Sequence, residues 1–439
     1  MQNQLNSEQN KTQYEQSAAN LLPTLNANAS QNYSTGRNID PFTNQFVQST
    51  VKSNNFSLSS NVTIFQGFQL QNSLQQSRYN YMASKYDLQK NINDISLNVI
   101  TAYLQILYNK ELLKTSIAQL EVSKTTLTRN QKLVEVGSLP KVNLLDAESQ
   151  VATEELNVVT AQNQLDISIL SLTQLLDLTS PKGFDIVDPQ LTVESVASNN
   201  YNVDDIYNYA LANQPDIKSA ELKLKSAEKG LAAARGNRSP RVYVNGSLST
   251  VYSDKSQFVN YKAGAFNTVP TQFFVPPSAS NPNGSVFALS PIVESSGVTP
   301  FGTQLDNNLS KSVGVGVSIP LFNNWQVQST ISRSKISMLS AKITADQTKL
   351  QLNKTIQQSY LDANAAYKKY NSSVKAVDSQ TEAFKYMQEK YNVGLVTSVD
   401  YLTAKNNLNR SQATLLQAKY DFIFKTKVLD FYMGKPLAF

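Results

Sequence analysis

The chain writes one long pattern twice. Val136-Gly137, within "VEVGSLPKVNLLDAESQ" (Val134–Gln150), returns as Val393-Gly394 within "YNVGLVTSVDYLTAKNN" (Tyr391–Asn407), 257 residues later. The same displacement carries Phe65 onto Phe322, Tyr103 onto Tyr360, Leu145 onto Leu402, Ala161 onto Ala418 and Leu172 onto Leu429. The register runs without a gap from about residue 57 to 177, with apolar positions falling on apolar positions. A unit this long is not a solenoid repeat of roughly 20–50 residues; it predicts a duplicated fold. The starts of the halves match at a shorter displacement of 217, Asn20-Leu-Leu-Pro23 on Asn237-Arg-Ser-Pro240. The second half therefore holds 40 extra residues between Pro240 and Phe322. "VPPSASNPNGS" (Val275–Ser285) lies among them and reads as an exposed loop.

The segments around that insertion alternate, strictly from Val313 to Leu321 and most weakly after Pro23. Val313, Val315, Val317, Ile319 and Leu321 are separated by Gly314, Gly316, Ser318 and Pro320. Phe56, Leu58, Val62 and Ile64 alternate with Ser57, Ser59, Asn61 and Thr63. Val242, Val244 and Leu248 alternate with Arg241, Asn245 and Ser247, and Leu25, Ala27, Ala29 and Tyr33 with Asn26, Asn28 and Asn32. Period two predicts strands with one apolar and one polar face. Each half contributes one hairpin, with strands of about 10–11 residues, enough for a tilted strand to cross a bilayer. A soluble sandwich with one face in its core shows the same alternation. Two details favour a membrane: the polar faces carry small uncharged residues, as a wet lumen would, and aromatics gather where strands meet helices. These are Phe65 and Phe68 in one half, Phe322 and Trp325 in the other, placed as membrane-interface residues. Four strands cannot close a membrane barrel, whose smallest form has about eight, and open edges are not tolerated in hydrocarbon. Copies must combine, two giving eight strands or three giving twelve.

The remainder is helical. Asn323 to Val393 contains no Pro or Gly before its terminal turn, and Gln66 to Val136 matches it apart from Gly67. A helix of about 70 residues would be about 105 Å long at 1.5 Å per residue, which implies coiled-coil packing. Gly137 and Gly394 end these helices in left-handed caps. Return helices follow, one with Pro140 in its first turn, the other opening on a Thr397/Asp400 capping pair. The repeated Val-Gly is thus the tip of a helical hairpin, expected at the end away from the strands. No apolar stretch reaches a spanning helix: Val99 to Tyr108 is broken by Thr101 and Gln105.

Composition excludes several chemistries. The chain has no Cys, hence no disulfide framework or thiolate metal site, and no His, the commonest metal ligand and neutral-pH base. No paired-carboxylate or phosphate-loop signature stands in their place, so no catalytic residue, metal or cofactor is expected and the chain reads as a non-enzyme. The net charge of +6 is scattered, which argues against a nucleic-acid partner.

Two hairpins, two long helical pairs and a duplication resemble the TolC-like outer-membrane efflux proteins. The stretch Tyr391–Ile423, "YNVGLVTSVDYLTAKNNLNRSQATLLQAKYDFI", is close to that family's second helical tip. "ALANQPDIKSAELKLKSAE" (Ala210–Glu228) resembles its Ala-Leu…Arg-Pro-Asp-Leu motif with Gln214 for Arg, and "AANLLPTLNANAS" (Ala18–Ser30) its Leu-Pro entry to the first strand. The resemblance covers essentially the whole chain.

It implies a homotrimer whose three chains form a twelve-stranded β-barrel in outer-membrane lipid. A helical tunnel would extend into the periplasm of a Gram-negative bacterium and meet a periplasmic adaptor (membrane fusion) protein and an RND-type or ABC-type inner-membrane pump. The implied function is a passive exit duct of a tripartite efflux or type I secretion system. The adaptor-docking tips would be Val136, Gly137, Ser138 and Leu139, with Val393, Gly394, Leu395 and Val396. The periplasmic constriction would fall on Asp400 and Thr403, with Asn143 and Asp146 in the first half. Thr403 stands where members carry an acid. Tyr391 keeps a tethering position, but Val396 replaces the family's tethering Arg, leaving Tyr391 only the neutral Asn143 to bond. The expected organisation has a first repeat over 1–180, with a helix, a hairpin at about 24–65, a long helix at 66–136 and a return helix at 140–178. An equatorial linker spans 181–203. A second repeat over 204–439 has a helix, a hairpin at about 241–321 with a loop at 254–310, a long helix at 323–393 and a return helix at 397–433. By the 217 displacement Met1 matches Lys218, and no signal peptide is visible, so the chain is expected to lack its first residues. A soluble coiled-coil interaction protein with β-rich ends is the alternative; partition on detergent extraction separates the two.

Overall fold

The computed structural model describes residues 1–39, 44–48, 50–187, 189, 201–278 and 280–436. Its elements run α1 (Gln2–Ala19), β1 (Thr24–Ser34), β2 (Arg37–Ile39), β3 (Phe46–Gln48), β4 (Val51–Gln66), α2 (Gln69–Glu135) and α3 (Lys141–Leu175). The second half continues with α4 (Val203–Asn213), α5 (Pro215–Gly236), β5 (Arg241–Ser253), β6 (Gln257–Phe274), β7 (Ser285–Val298), α6 (Phe301–Asn307), β8 (Ser310–Ser318), α7 (Gln326–Asn392) and α8 (Ser398–Tyr432). The fold is mainly helical with antiparallel strands. Two compact units divide it: a helical unit of Met1–Thr12, Gln76–Glu228 and Ile336–Phe439, and a sheet unit of Gln13–Gln75 and Lys229–Lys335.

In the sheet unit the four alternating segments form one antiparallel sheet in the order β1-β4-β5-β8. The halves meet at β4 and β5, and β1 and β8 are its edges. Register sorts the side chains cleanly. Asn26, Ser59, Ser247 and Ser312 form one row across all four strands, and Asn61, Asn245 and Gly314 another. The opposite face carries the rows Ala27, Leu58 and Leu248, then Val62, Val244 and Val315. That apolar face is bare at the β8 edge, where Val313 is 84% and Val315 72% exposed. The strands measure 11, 16, 13 and 9 residues rather than a uniform 10–11.

The insertion is not the long loop expected over 254–310. β6 and β7 pair as a two-stranded antiparallel ribbon, and α6 follows it. Phe258, Val259, Tyr261, Phe266 and Val269 of β6 face a strand bearing Val286, Phe287, Leu289 and Val293, so β-forming residues outweigh the Pro and Gly that punctuate them. The Pro- and Asn-rich residues form only the connecting turn.

Each passage from strand to long helix uses two successive left-handed residues, Gly67 and Phe68 (φ 55° and 58°) and Asn324 and Trp325 (φ 51° and 64°). Gly67 is needed for space as well: a Cβ there would lie 2.7 Å from the Gly236 carbonyl oxygen.

In the helical unit α2 and α7 are both 67 residues long, α3 and α8 both 35, and the bounds of each pair differ by 257. Pro140 occupies the N-cap of α3 rather than its first turn, with extended backbone (φ −62°, ψ 144°). One apolar cluster joins Ile206, Ala210 and Ile217 to Leu352, Ile356, Ala363 and Leu429, all buried. A second gathers Ile100, Leu104, Leu107 and Ile423. Of the expected linker, residues 188 and 190–200 lie outside the described residues, and Val203 already opens α4.

Four helices end in the same Schellman cap. At the end of α3, Leu178 N donates to Thr173 O (2.9 Å) and Asp177 N to Gln174 O (3.1 Å), with Asp177 left-handed at φ 56°. At the end of α8, Gly434 takes the equivalent place at φ 72°. A Cβ in this conformation costs about 1–2 kcal/mol, offset in part by the greater unfolded-state freedom of glycine. Asp177→Gly is therefore expected to stabilise the chain by about 1 kcal/mol. Chemical denaturation of the purified protein in detergent checks this; an unchanged or lowered midpoint refutes it.

Candidate functional site

The helical tips are the site the sequence singled out. Both long helices end in the glycine cap their sequence requires: Gly137 N donates to Val134 O (3.0 Å) and Gly394 N to Tyr391 O (3.1 Å), while Ser138 N and Leu395 N reach back to Leu133 O and Lys390 O. Gly137 and Gly394 are left-handed, at φ 74° and 76°. Nothing else crowds them: a Cβ on either would have no neighbour within 4 Å. Val136, Val393 and Leu395 are each at least 70% exposed, Ser138 is exposed, and Leu139 and Val396 are half-buried. These apolar side chains on a turn stand largely bare among the described residues.

Behind the tips the structure brings together part of the expected set. Asn143, Asp146 and Tyr391 line one small cavity of about 20 Å³, room for about one water, with Asn130, Ser398 and Lys405. Tyr391 does not bond the side chain of Asn143, as expected from the sequence. Its hydroxyl accepts from Asn130 Nδ2 (3.0 Å), and the same amide nitrogen donates to the backbone carbonyl of Asn143 (3.2 Å). Asn130, about two turns before the cap glycine of α2, has the reach that Asn143 lacks. The Tyr391 ring also stacks on Tyr401, with centroids 4.6 Å apart, and Tyr401 packs against Phe384. Burial pushes the Tyr401 hydroxyl above its usual pKa.

Asp146 Oδ2 accepts from Ser398 Oγ (2.6 Å), tying the start of α3 to the start of α8. Asp400 and Thr403 stand apart from the cavity, both exposed. Asp400 completes a reciprocal capping box: Thr397 Oγ1 accepts from Asp400 N (3.2 Å) and Asp400 Oδ2 from Thr397 N (3.2 Å). Thr403 Oγ1 donates back to Val399 O (2.7 Å). Arg129 reaches across from α2 to the last residue of α7, its Nη2 donating to Asn392 O (2.9 Å), where a cation suits the carbonyl end of the helix.

Deeper in the pair lies a feature the sequence reading missed. Lys405 of α8 and Glu154 of α3 are both 2% exposed, with Nζ 3.6 Å from Oε1. Lys405 also donates to the Ser123 hydroxyl and to Gln119 O (3.4 Å) of α2. Glu154 accepts from Gln150 (2.8 Å), Asn157 (3.1 Å) and Asn409 (3.5 Å). The heptad signal was available. Tyr401, Leu408, Leu415, Phe422 and Leu429 recur every seven residues along α8, and Lys405 sits between the first two on the same seam. Glu154 falls midway between the buried Ala147 and Ala161.

The aromatics Phe65, Phe68, Phe322 and Trp325 belong to the sheet unit and are exposed; Phe65 and Phe68 meet edge to face at 5.5 Å. Among the described residues no cluster of acidic side chains is arranged to hold a metal.

An antiparallel sheet that turns apolar side chains outward, carried in one chain with paired long helices, defines a protein built to meet surroundings other than its own core. The outer membrane efflux protein model matches residues 1–177 and 206–435, and the chain belongs to that family. Its place is the outer membrane. It is 22% identical over 411 residues to the toxin and drug export protein A of Aggregatibacter actinomycetemcomitans, across 92% of this chain and 76% of that protein. It is 23% identical over 330 residues to the outer membrane protein TolC of Escherichia coli, across 74% of this chain and 58% of that protein. The outer membrane protein VceC of Vibrio cholerae superposes with a TM-score of 0.77 at 15% identity, covering all of this chain and 93% of that one. The first of these relatives is named for the export of toxin and drug, the other two for their place in the outer membrane.

Removing one member of a buried ion pair strands the other charge. Lys405→Met is expected to cost about 3–5 kcal/mol, and the double change Lys405→Met/Glu154→Leu much less. Burial lowers the Lys405 pKa, with Glu154 opposing the shift. Its unfolded form therefore binds more protons between the folded pKa and about 10.5, so its contribution to stability rises with pH across that window. Denaturant titrations at rising pH check both points. A double variant as unstable as the single one, or no loss of the alkaline rise in it, refutes the assignment.

Proposed function

We propose that three copies of this chain form the outer-membrane channel of a tripartite efflux or secretion system. On this reading the three sheets close a twelve-stranded barrel, and the duct extends into the periplasm as a passive exit for cargo delivered by an RND-type or ABC-type inner-membrane pump. The one observation that carries the proposal is the sheet β1-β4-β5-β8 itself. Its two edge strands have outer backbone groups with no strand partner among the described residues, one face is mostly Asn, Ser and Gly, and the other mostly Val, Leu and Ala. Pairing β1 of one copy with β8 of the next removes every edge, leaves the polar face around a wet lumen and turns the apolar face to lipid. The equal lengths and 257-residue displacement of the two helical pairs support an internal duplication, which gives a trimer six near-equivalent wedges.

The tips are the proposed docking points for the periplasmic adaptor: Val136, Gly137, Ser138 and Leu139, with Val393, Gly394, Leu395 and Val396. Asp400 and Thr403, with Asn143, Asp146 and Tyr391, are proposed to border the periplasmic constriction. Three exposed copies of Asp400 around one axis would favour cations. Phe65, Phe68, Phe322 and Trp325 are proposed to sit at the membrane interface, where rings with one apolar side are favoured.

Because the chain has no Cys, introduced cysteines report cleanly. With Ala27→Cys on β1 and Val315→Cys on β8 in one chain, oxidation of intact membranes is expected to give dimers and trimers and no larger species. A protein recovered in the aqueous fraction as a monomer overturns the channel reading. For the tips, Val393→Asp/Leu395→Asp places charge on exposed side chains that the fold does not use. Resistance to exported drugs is expected to fall several-fold while the cross-linked trimer forms in full yield. Unchanged drug sensitivity removes the docking assignment and leaves the channel intact.

A further inference from the structure

The short helix α6 does not extend the ribbon; it lies down on the apolar face of the sheet. The Phe301 ring meets Tyr252 at 5.1 Å and Phe56 at 6.3 Å. Gln304, 1% exposed, exchanges hydrogen bonds with the backbone of Ser253 (2.9 Å each way) and donates to Thr299 O (2.8 Å). Thr250 Oγ1 donates to Leu305 O (2.8 Å), and Asn308 Nδ2 to Val251 O (2.6 Å). These bonds hold the helix and the following Leu309 at a fixed height over the strands.

Between them runs a groove of about 380 Å³, walled by Ala27, Ala29, Phe56, Leu58, Leu248 and Leu309. Its polar lining positions add little: Asn28, Ser57 and Ser249 belong by register to the opposite face, and the Thr250 hydroxyl is already spent on Leu305. The groove therefore offers no hydrogen bond to an occupant along its length. At its side the register sets Lys311 directly beside Leu248, on the same face, two residues after Leu309. Lys311 is exposed and engages no carboxylate among the described residues. Lys52, on the same face, lies over the Tyr33 ring at 5.7 Å. Asp254 Oδ1 accepts the Lys52 backbone N–H (2.9 Å), and Asp306 lies on α6.

We propose that this groove is a lipid site, taking an acyl chain of an anionic outer-membrane phospholipid along its apolar wall, with the uncompensated negative charge of the headgroup beside the Lys311 ammonium. The inference rests on the channel reading above, since it needs the apolar face to meet lipid. A flat strand face selects no lipid. A groove flanked by a cation that engages no carboxylate does, by apolar burial along the chain and charge complementarity at its side.

The single tryptophan makes the site measurable. Trp325→Phe, the residue type its 257-displaced counterpart Phe68 already carries, gives a dark background. Leu58→Trp then reports from the groove, Leu309→Trp is a second groove reporter should the first not fold, and Val315→Trp reports from the same face outside it. Each is reconstituted into phosphatidylcholine vesicles containing phosphatidylglycerol or phosphatidylcholine with brominated acyl chains. The groove reporter is expected to be quenched several-fold more effectively by the brominated phosphatidylglycerol, and Lys311→Gln to bring the two lipids to parity. Val315→Trp should be quenched by both equally. Equal quenching in the groove by both lipids, with or without Lys311, overturns the site. A groove reporter quenched by neither while Val315→Trp is quenched shows that a neighbouring copy covers the groove, which also overturns it. Failure of the protein to enter vesicles, with Val315→Trp dark to both lipids, brings down the channel reading itself.

Discussion

A four-stranded sheet with both edges free and an apolar face bare cannot be satisfied by one chain. Each edge strand carries a row of N–H and C=O groups that need partners, and Val313, Val315 and Val317 offer apolar surface that water does not favour. Soluble proteins answer this by folding a second layer over the apolar face. Here the only covering among the described residues is α6, seven residues long, which shields part of one end. The small polar residues on the other face do not make a core either, because Asn, Ser and Gly bury little apolar area. The proposed channel resolves the conflict: lipid favours Val, and neighbouring copies would pair the free edges.

The helical pairs answer a related problem. A 67-residue helix is far beyond what intrinsic propensity sustains alone, so its stability comes from side-by-side packing. The seam that does this mixes large side chains with many small ones. Ala83, Ala147, Ala161, Ala345, Ala363, Ala366 and Ala418 are all buried, alongside Ser84, Ser123, Ser168 and Ser373. Small residues let helices approach closely, and hydroxyls at such positions bond their own helix, as Ser168 does to Leu165 O and Ser123 to Gln119 O.

Much of this was legible in the sequence, and the exceptions share a cause. The four-strand alternation gave the sheet and its two faces because period two is a direct readout of burial side. Freedom from Pro and Gly gave the long helices to within three residues, and Gly137 and Gly394 fixed their ends. The ribbon β6–β7 was hidden because Pro270, Pro291 and Gly264 punctuate it, and such residues ordinarily mark loops; register shifts near these places let pairing continue around them. Lys405 and Glu154 were hidden because charge is read as surface. Their places in the heptad said otherwise, but only knowing that α3, α8 and α2 converge shows that each has partners. The left-handed Phe68 and Trp325 had no local signal at all, since neither residue favours that backbone; the geometry of the strand-to-helix passage imposes it in both halves.

The helical unit is held by two different kinds of contact, and they respond differently to water. Around Ile206, Ile217, Ile356 and Leu429 the helices join through fully buried aliphatic side chains. Opening that cluster exposes apolar area with nothing gained in return. Behind the tips the joints are Asn130 to Tyr391, Ser398 to Asp146, Arg129 to Asn392, and the Lys405–Glu154 pair with its amide partners. Every one is a contact that water can replace, and desolvation already penalises Lys405 in its charged form. Hydrogen bonds contribute only about 0.5–1.5 kcal/mol net because water competes for both partners. A set of them can therefore be exchanged for hydration at a cost that the aliphatic cluster does not allow. The same two helical pairs are thus cohesive where they are greasy and separable where they are polar, and the polar joints lie directly behind the exposed Val-Gly turns.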